Sequence, residues 1–124
     1  MPSLLLVAIG GALGAVARAV ISTSIQARWP STLPWGTLTV NVSGCLALGV
    51  LSGALASRPD VAPAWRALGA VGMLGAFTTF STFEHETLAL LERGATGAAC
   101  ANVGISLLAG LVAVWLGQGI GRML

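Results

Sequence analysis

The segment Gly72-Met73-Leu74-Gly75-Ala76-Phe77-Thr78-Thr79-Phe80-Ser81-Thr82-Phe83 gathers hydroxyls and aromatic rings with no charge among them. Hydroxyl protons and the electropositive edges of rings are neutral donors. They can replace the hydration of an anion without the full counter-charge that would hold it fast. Phe80 and Phe83 are three residues apart and share a helix face, with the hydroxyls of Ser81 and Thr82 beside them. For two Phe at this spacing, packing against lipid or core is the plain alternative, and it is the neighbouring hydroxyls that set this pair apart. Asn41 offers two further N–H donors without charge, although an interhelical hydrogen bond would use the same amide. Arg18 is either a snorkelling anchor or a fixed positive charge at the mouth of an anion path. Asn102 and Ser106 lie one helical turn apart with Gly110 on the same face, which suits a narrow polar stripe or a close helix contact.

These residues need elements that hold them, and the central segment makes a poor helix. Its glycines, β-branched residues and hydroxyls all disfavour one, and in water the segment would read as a strand. Composition says the solvent is not water. The 124 residues include only six basic and four acidic side chains, so 8% are charged, where soluble domains carry roughly 25%. Hydrophobic residues make up 56% before the 17 Gly are counted, which excludes both a soluble domain and a disordered chain. A net charge of +2 is too small for a nucleic-acid footprint, so no nucleic-acid partner is expected. Inside a bilayer an open strand is excluded. The segment therefore reads as a helix broken near Gly75 to Thr79, its freed carbonyls turned toward a protein partner or a bare alkali cation.

Four crossings follow from the uncharged runs, near 3–25, 35–56, 64–91 and 95–121, in one membrane domain covering 1–124. Pro2, Pro30, Pro34, Pro59 and Pro63 all fall at proposed ends or in connections. No stretch alternates apolar and polar residues as a membrane strand would, so the expected class is all-α. The first run lacks the basic start of a secretory signal, its first Arg being Arg18. Cys45 and Cys100 read as small buried residues, neither a disulfide framework nor a metal site. Gly-x-x-x-Gly spacings at Gly10/Gly14, Gly49/Gly53 and Gly117/Gly121 suit close helix approach. With four crossings, Arg58, Arg66 and Arg122 fall on one side and Arg28 and Arg93 on the other, joined by Arg18 if its side chain snorkels that way. That near-balance removes the usual cytoplasmic excess of basic residues. It points to a chain that inserts both ways round and works as an antiparallel homodimer, a fixed orientation set by other features being the alternative.

The motifs Gly10-Gly11-x-x-Gly14-Ala15-x-x-Arg18, Gly36-Thr37-Leu38-x-Val40-Asn41-x-x-Gly44 and Gly75-x-x-Thr78-Thr79-Phe80-Ser81-Thr82-Phe83-x-x-Glu86, in this order, resemble those of the Fluc (CrcB) fluoride channels over nearly the whole chain. The resemblance implies a dual-topology antiparallel homodimer in the bacterial inner membrane with two pores, passive export of fluoride and relief of its toxicity. It implies a structural sodium ion at the dimer centre, held by the backbone carbonyls of Gly75 and Thr78 from both subunits. Its pore residues fall on Phe80, Phe83 and Asn41, with Ser81, Thr82 and Ser106 continuing the polar track, Glu86 near one pore end and Arg18 as the arginine of the first helix. One departure is Gly110, where family members often carry a second hydroxyl.

An enzyme is not expected: there is no phosphate loop, no H-E-x-x-H and no catalytic pairing around His85, which reads as an interface residue between Glu84 and Glu86. A small multidrug antiporter would need a carboxylate in the first span, and the first acid is Asp60, in a connection. A haem-enzyme anchor would need histidines in spans, and His85 is the only one.

Overall fold

In the computed structural model, which describes residues 2–124, every regular element is helical. Helix α1 is Pro2–Arg28 and α2 is Trp35–Leu55. A third helical stretch, α3 (62–77), runs through Ala62–Trp65, Arg66–Leu74 and Gly75–Phe77, its middle portion wound as a π-helix. Helix α4 is Phe80–Glu92 and α5 is Thr96–Arg122. Three of these helices, at Ser3–Arg28, Trp35–Leu55 and Thr96–Arg122, are each long and apolar enough to span a bilayer. The expected third crossing is divided between α3 and α4, which meet at Thr78 and Thr79. Neither half has the length of a span by itself.

Short connections keep sequential elements side by side. The turn from α1 to α2 is held by Gln26, whose Oε1 accepts the Gly36 N–H at 3.1 Å while Nε2 donates to the carbonyls of Ser31 and Leu33. The Gly36 N–H would otherwise be an orphan donor at the start of α2. Helix α4 stops at Gly94, which has φ +77°. The Gly94 N–H bonds the Leu91 carbonyl at 3.0 Å and the Ala95 N–H bonds Leu90 at 2.9 Å, the paired bonds of a Schellman end that glycine permits. At the opposite end of the bundle, Arg58 donates to the carbonyls of Ala54 and Leu124, so the 56–61 connection and the C-terminus share one side.

Two seams of glycine hold the bundle. Between α2 and α5, a Cβ on Gly49 would strike the Val114 carbonyl and one on Gly117 the Leu46 carbonyl, while Gly53 and Gly121 sit just as tightly against Gln118 and Val50. Between α1 and α3, Gly10 and Gly14 lie against the backbone of Leu68 and Met73, and Gly72 against Val7. All three Gly-x-x-x-Gly pairs thus mark backbone-on-backbone contacts, which gain dispersion and lose no side-chain entropy. The π-helical winding of Arg66–Leu74 falls along the second seam. Sequence periodicity did not foresee it, because a π turn has no side-chain signature of its own.

Outside the seams the surface is apolar. Leu4, Leu13, Val16, Leu108, Leu111 and Trp115 are all exposed, as lipid-facing side chains are. Cys45 is half-buried, but Cys100 is exposed on α5, which corrects its reading as a buried residue. Its position in an apolar run reported the span and not the face.

Candidate functional site

The break between α3 and α4 organises the site. Thr78 has φ −81° and ψ 156°, and Thr79 has φ −149° and ψ 117°, so two consecutive residues are extended. Each backbone group released there has to find another partner. Thr79 N–H donates to Asn41 Oδ1 at 2.7 Å, and Asn41 Nδ2 donates to the Thr79 carbonyl at 3.0 Å. The amide of α2 therefore stands in for helical neighbours at both backbone groups of one residue. The Thr79 hydroxyl caps α4, accepting the Thr82 N–H at 3.3 Å and donating to Thr82 Oγ1 at 3.0 Å. The Thr78 hydroxyl donates back to the Leu74 carbonyl at 3.0 Å. Gly44, one turn after Asn41, leaves the space into which the Thr78 methyl and the Phe77 ring fit. A side chain there would push the break away from α2.

This arrangement bears on cation binding. In a continuous helix the Gly75 carbonyl would accept the Thr79 N–H, which Asn41 has taken. No turn or cap backbone bond closes on the carbonyls of Gly75 or Thr78 among the described residues. Gly75 is exposed and Thr78 half-buried, and their carbonyls are hard oxygen donors. That donor set fits an alkali cation, and one chain alone supplies too few oxygens for it.

Beside the break lies a cavity of about 210 Å³ lined by Asn41, Thr78, Thr79, Phe80, Phe83, Ser106 and Leu107, with no charged side chain. The ring centroids of Phe80 and Phe83 are 5.9 Å apart and their planes tilt by 50°. Their surroundings differ more than a shared helix face suggests: Phe83 is 5% exposed and Phe80 72%. Across the bundle, a second cavity of about 490 Å³ is lined by Ser22, Thr23, Gln26, Ala27, Gly36, Thr37, Thr82 and Glu86. There Thr37 Oγ1 donates to Glu86 Oε1 at 2.5 Å, joining α2 to α4. The two cavities lie on either side of the α4 start, with Phe80 and Phe83 toward one and Thr82 and Glu86 toward the other.

The remaining expected residues are placed as follows. Ser81 is exposed and lines neither cavity. Arg18 is half-buried on α1 and also lines neither; its backbone carbonyl accepts the Ser22 hydroxyl at 2.7 Å. Gly110 faces Cys45, whose Sγ would lie 3.5 Å from an added Cβ, so it belongs to the α2–α5 seam. Sequence reasoning missed Gln26, Thr37 and Thr87. Thr87 Oγ1 donates to the Phe83 carbonyl at 2.7 Å and accepts Asn102 Nδ2 at 2.9 Å, and Ser106 Oγ donates to Asn102 Oδ1 at 3.4 Å. Thr87 lies four residues beyond Phe83, a spacing that could have drawn attention to it.

Residues 5–118 match the family described as CrcB-like protein, Camphor Resistance (CrcB). The chain is 45% identical over 116 residues to the "Fluoride-specific ion channel FluC" of Acidobacterium capsulatum, covering 94% of this chain and 93% of that one. It is 49% identical over 112 residues to "Fluoride-specific ion channel FluC 2" of Symbiobacterium thermophilum, covering 90% and 91%. To the "Fluoride-specific ion channel FluC" of Nitratidesulfovibrio vulgaris it is 42% identical over 123 residues, covering 99% of each.

Proposed function

The chain belongs to the CrcB family, and from that premise we propose that it is a fluoride-selective channel giving passive export of fluoride from the cytoplasm. It is a multi-pass bacterial membrane protein and not an enzyme. The observation that carries the proposal is the uncharged cavity at the helix break, where Asn41, Phe80, Phe83 and Ser106 surround one space. Fluoride is small and strongly hydrated. A route for it has to replace water with many modest donors while letting the ion leave again.

Asn41 holds the break with one N–H and has a second to offer the cavity. Phe83 is fixed by burial, so a ring edge, rather than a mobile ring face, can meet the ion. Thr37, Thr82 and Glu86 form the neighbouring polar stretch near one end of the path, and Arg18 lies on the adjoining α1 as an attractive charge for the anion. Acid outside drives neutral hydrogen fluoride inward, where it ionises, so an open path for the anion lowers the internal load without ATP.

The working unit in this proposal is an antiparallel homodimer of four-crossing subunits with two pores. Support comes from the balanced arginines, from the exposure of Phe80 beside the break, and from the exposed Gly75. A second copy would cover both. The Gly75 and Thr78 carbonyls of the two subunits would together hold a structural sodium ion, which neutralises oxygens that have lost their helical partners.

Purified protein in liposomes, followed with a fluoride electrode, tests the function. Fast efflux of fluoride but not chloride is expected, and efflux no faster than from empty liposomes would overturn it. Exchanging sodium for a large organic cation should release monomers, and an unchanged dimer would remove the carbonyl site.

A further inference from the structure

Asn102 is 1% exposed and lies between α4 and α5, outside the cavity it serves. Its amide links Ser106, which lines that cavity, to Thr87, which stands behind the cavity-lining Phe83. Through Nδ2 it bonds Thr87, whose proton is held by the carbonyl of Phe83, and through Oδ1 it takes the proton of Ser106. In this state the Ser106 hydroxyl turns lone pairs toward the cavity, which is the wrong polarity for an anion. The Ser106 contact, at 3.4 Å, is also the longest of the three bonds.

Resting on the fluoride-channel reading, we infer that Asn102 is a positioning residue that switches the Ser106 proton between the bundle interior and the passing anion by turning its amide over. Both orientations use the same heavy atoms. With the amide turned, Nδ2 donates to Ser106 Oγ, and the Ser106 proton is free to face the cavity. Oδ1 then accepts the Thr87 proton, and the Phe83 carbonyl gives up its hydroxyl bond while remaining within the α4 ladder. No buried group is orphaned in either state, so the turn exchanges one set of neutral bonds for another. The anion supplies the bias, because a hydroxyl proton facing a charge makes a stronger bond than one facing an amide. Ser106 can then offer a donor while the ion is present and withdraw it afterwards, which favours release as well as entry.

Thr87→Val tests this without touching the cavity wall. It removes the acceptor that holds the amide in its present orientation and so frees the amide to turn toward Ser106. Fluoride efflux from liposomes is compared in four chains: wild type, Thr87→Val, Ser106→Ala and the double variant. Thr87→Val should raise efflux at subsaturating fluoride by roughly threefold or more, the size of a neutral hydrogen bond, and should do nothing where Ser106 is already Ala. Thr87→Ser should behave as wild type. Asn102→Leu, which also frees the Ser106 proton, should show the same dependence on Ser106 and serves if Thr87→Val does not assemble. An equal change in both backgrounds, or a fall in efflux confined to chains that keep Ser106, overturns the relay. A wild-type chain that conducts no fluoride overturns the channel reading and the relay with it, whereas a conducting wild type with either of those results overturns the relay alone.

Discussion

The α2–α5 seam and the break between α3 and α4 both depend on glycines of α2, yet they do opposite things. Along the seam, Gly49, Gly53, Gly117 and Gly121 bring two unbroken helices into backbone contact, and every amide stays within its own ladder. At the break, Gly44 makes room, two threonines take extended conformations, and the Thr79 N–H and carbonyl turn to Asn41. The difference lies in what the neighbouring helix offers. Glycine facing backbone gives a tight, featureless contact. Glycine one turn from an amide gives a pocket with a hydrogen-bonding partner at its edge, and that pocket can hold an opened chain in a solvent that supplies no water.

The largest effect expected from disturbing this contrast is at the seam. Gly117→Val would drive a branched side chain into the Leu46 carbonyl with no flexible neighbour to give way. A loss of about 3 kcal/mol or more is expected, seen as failure to recover a monodisperse protein in detergent. Asn41→Ala should come next, because it strips the Thr79 N–H and carbonyl of their partner together. About 2 kcal/mol of stability should be lost, read as a lower thermal midpoint, and fluoride efflux should fall with it. Normal stability there would mean that the break satisfies itself.

Phe83→Ile and Phe80→Ile divide the two rings. Each should cut efflux by at least about tenfold, equivalent to ~1.4 kcal/mol of ion stabilisation, while the protein still elutes from detergent as the wild type does. Only the Phe83 change should also lower the thermal midpoint of the single fold, since Phe83 is buried and Phe80 is not. Unchanged rates in both would remove the ring-edge argument. The smallest effect is expected at Gly110→Ala, whose new methyl would sit at ordinary contact distance from Cys45. Stability should rise by less than about 1 kcal/mol through helix propensity, with efflux unchanged. A change in efflux would return Gly110 to the polar track and away from the seam.

Much of this was readable in the residues. The scarcity of charge identified the membrane, the proline positions marked the ends, and the hydroxyl run after Gly75 located the break to within the residues where it occurs. The glycine spacings marked contacts, though not their partners. What stayed hidden depended on pairing across the chain. Asn41 meets Thr79 at a separation of 38 residues and Thr37 meets Glu86 at 49, and no periodicity reports such distances. The unequal burial of Phe80 and Phe83 was likewise invisible, because a spacing of three places two residues on one face without saying where that face ends.

By itself, then, the sequence determined the solvent, the helical class, the point at which a helix could not continue, and the family. Those are properties of local composition and order, and lipid enforces them on any packing. Only the tertiary structure decided that Asn41 closes the break, that the polar residues divide into two cavities, and that Asn102 and Thr87 stand behind Ser106 and Phe83. Helices rich in glycine can approach one another in several registers. The one adopted here sets which donors are used up within the fold and which remain to face an ion.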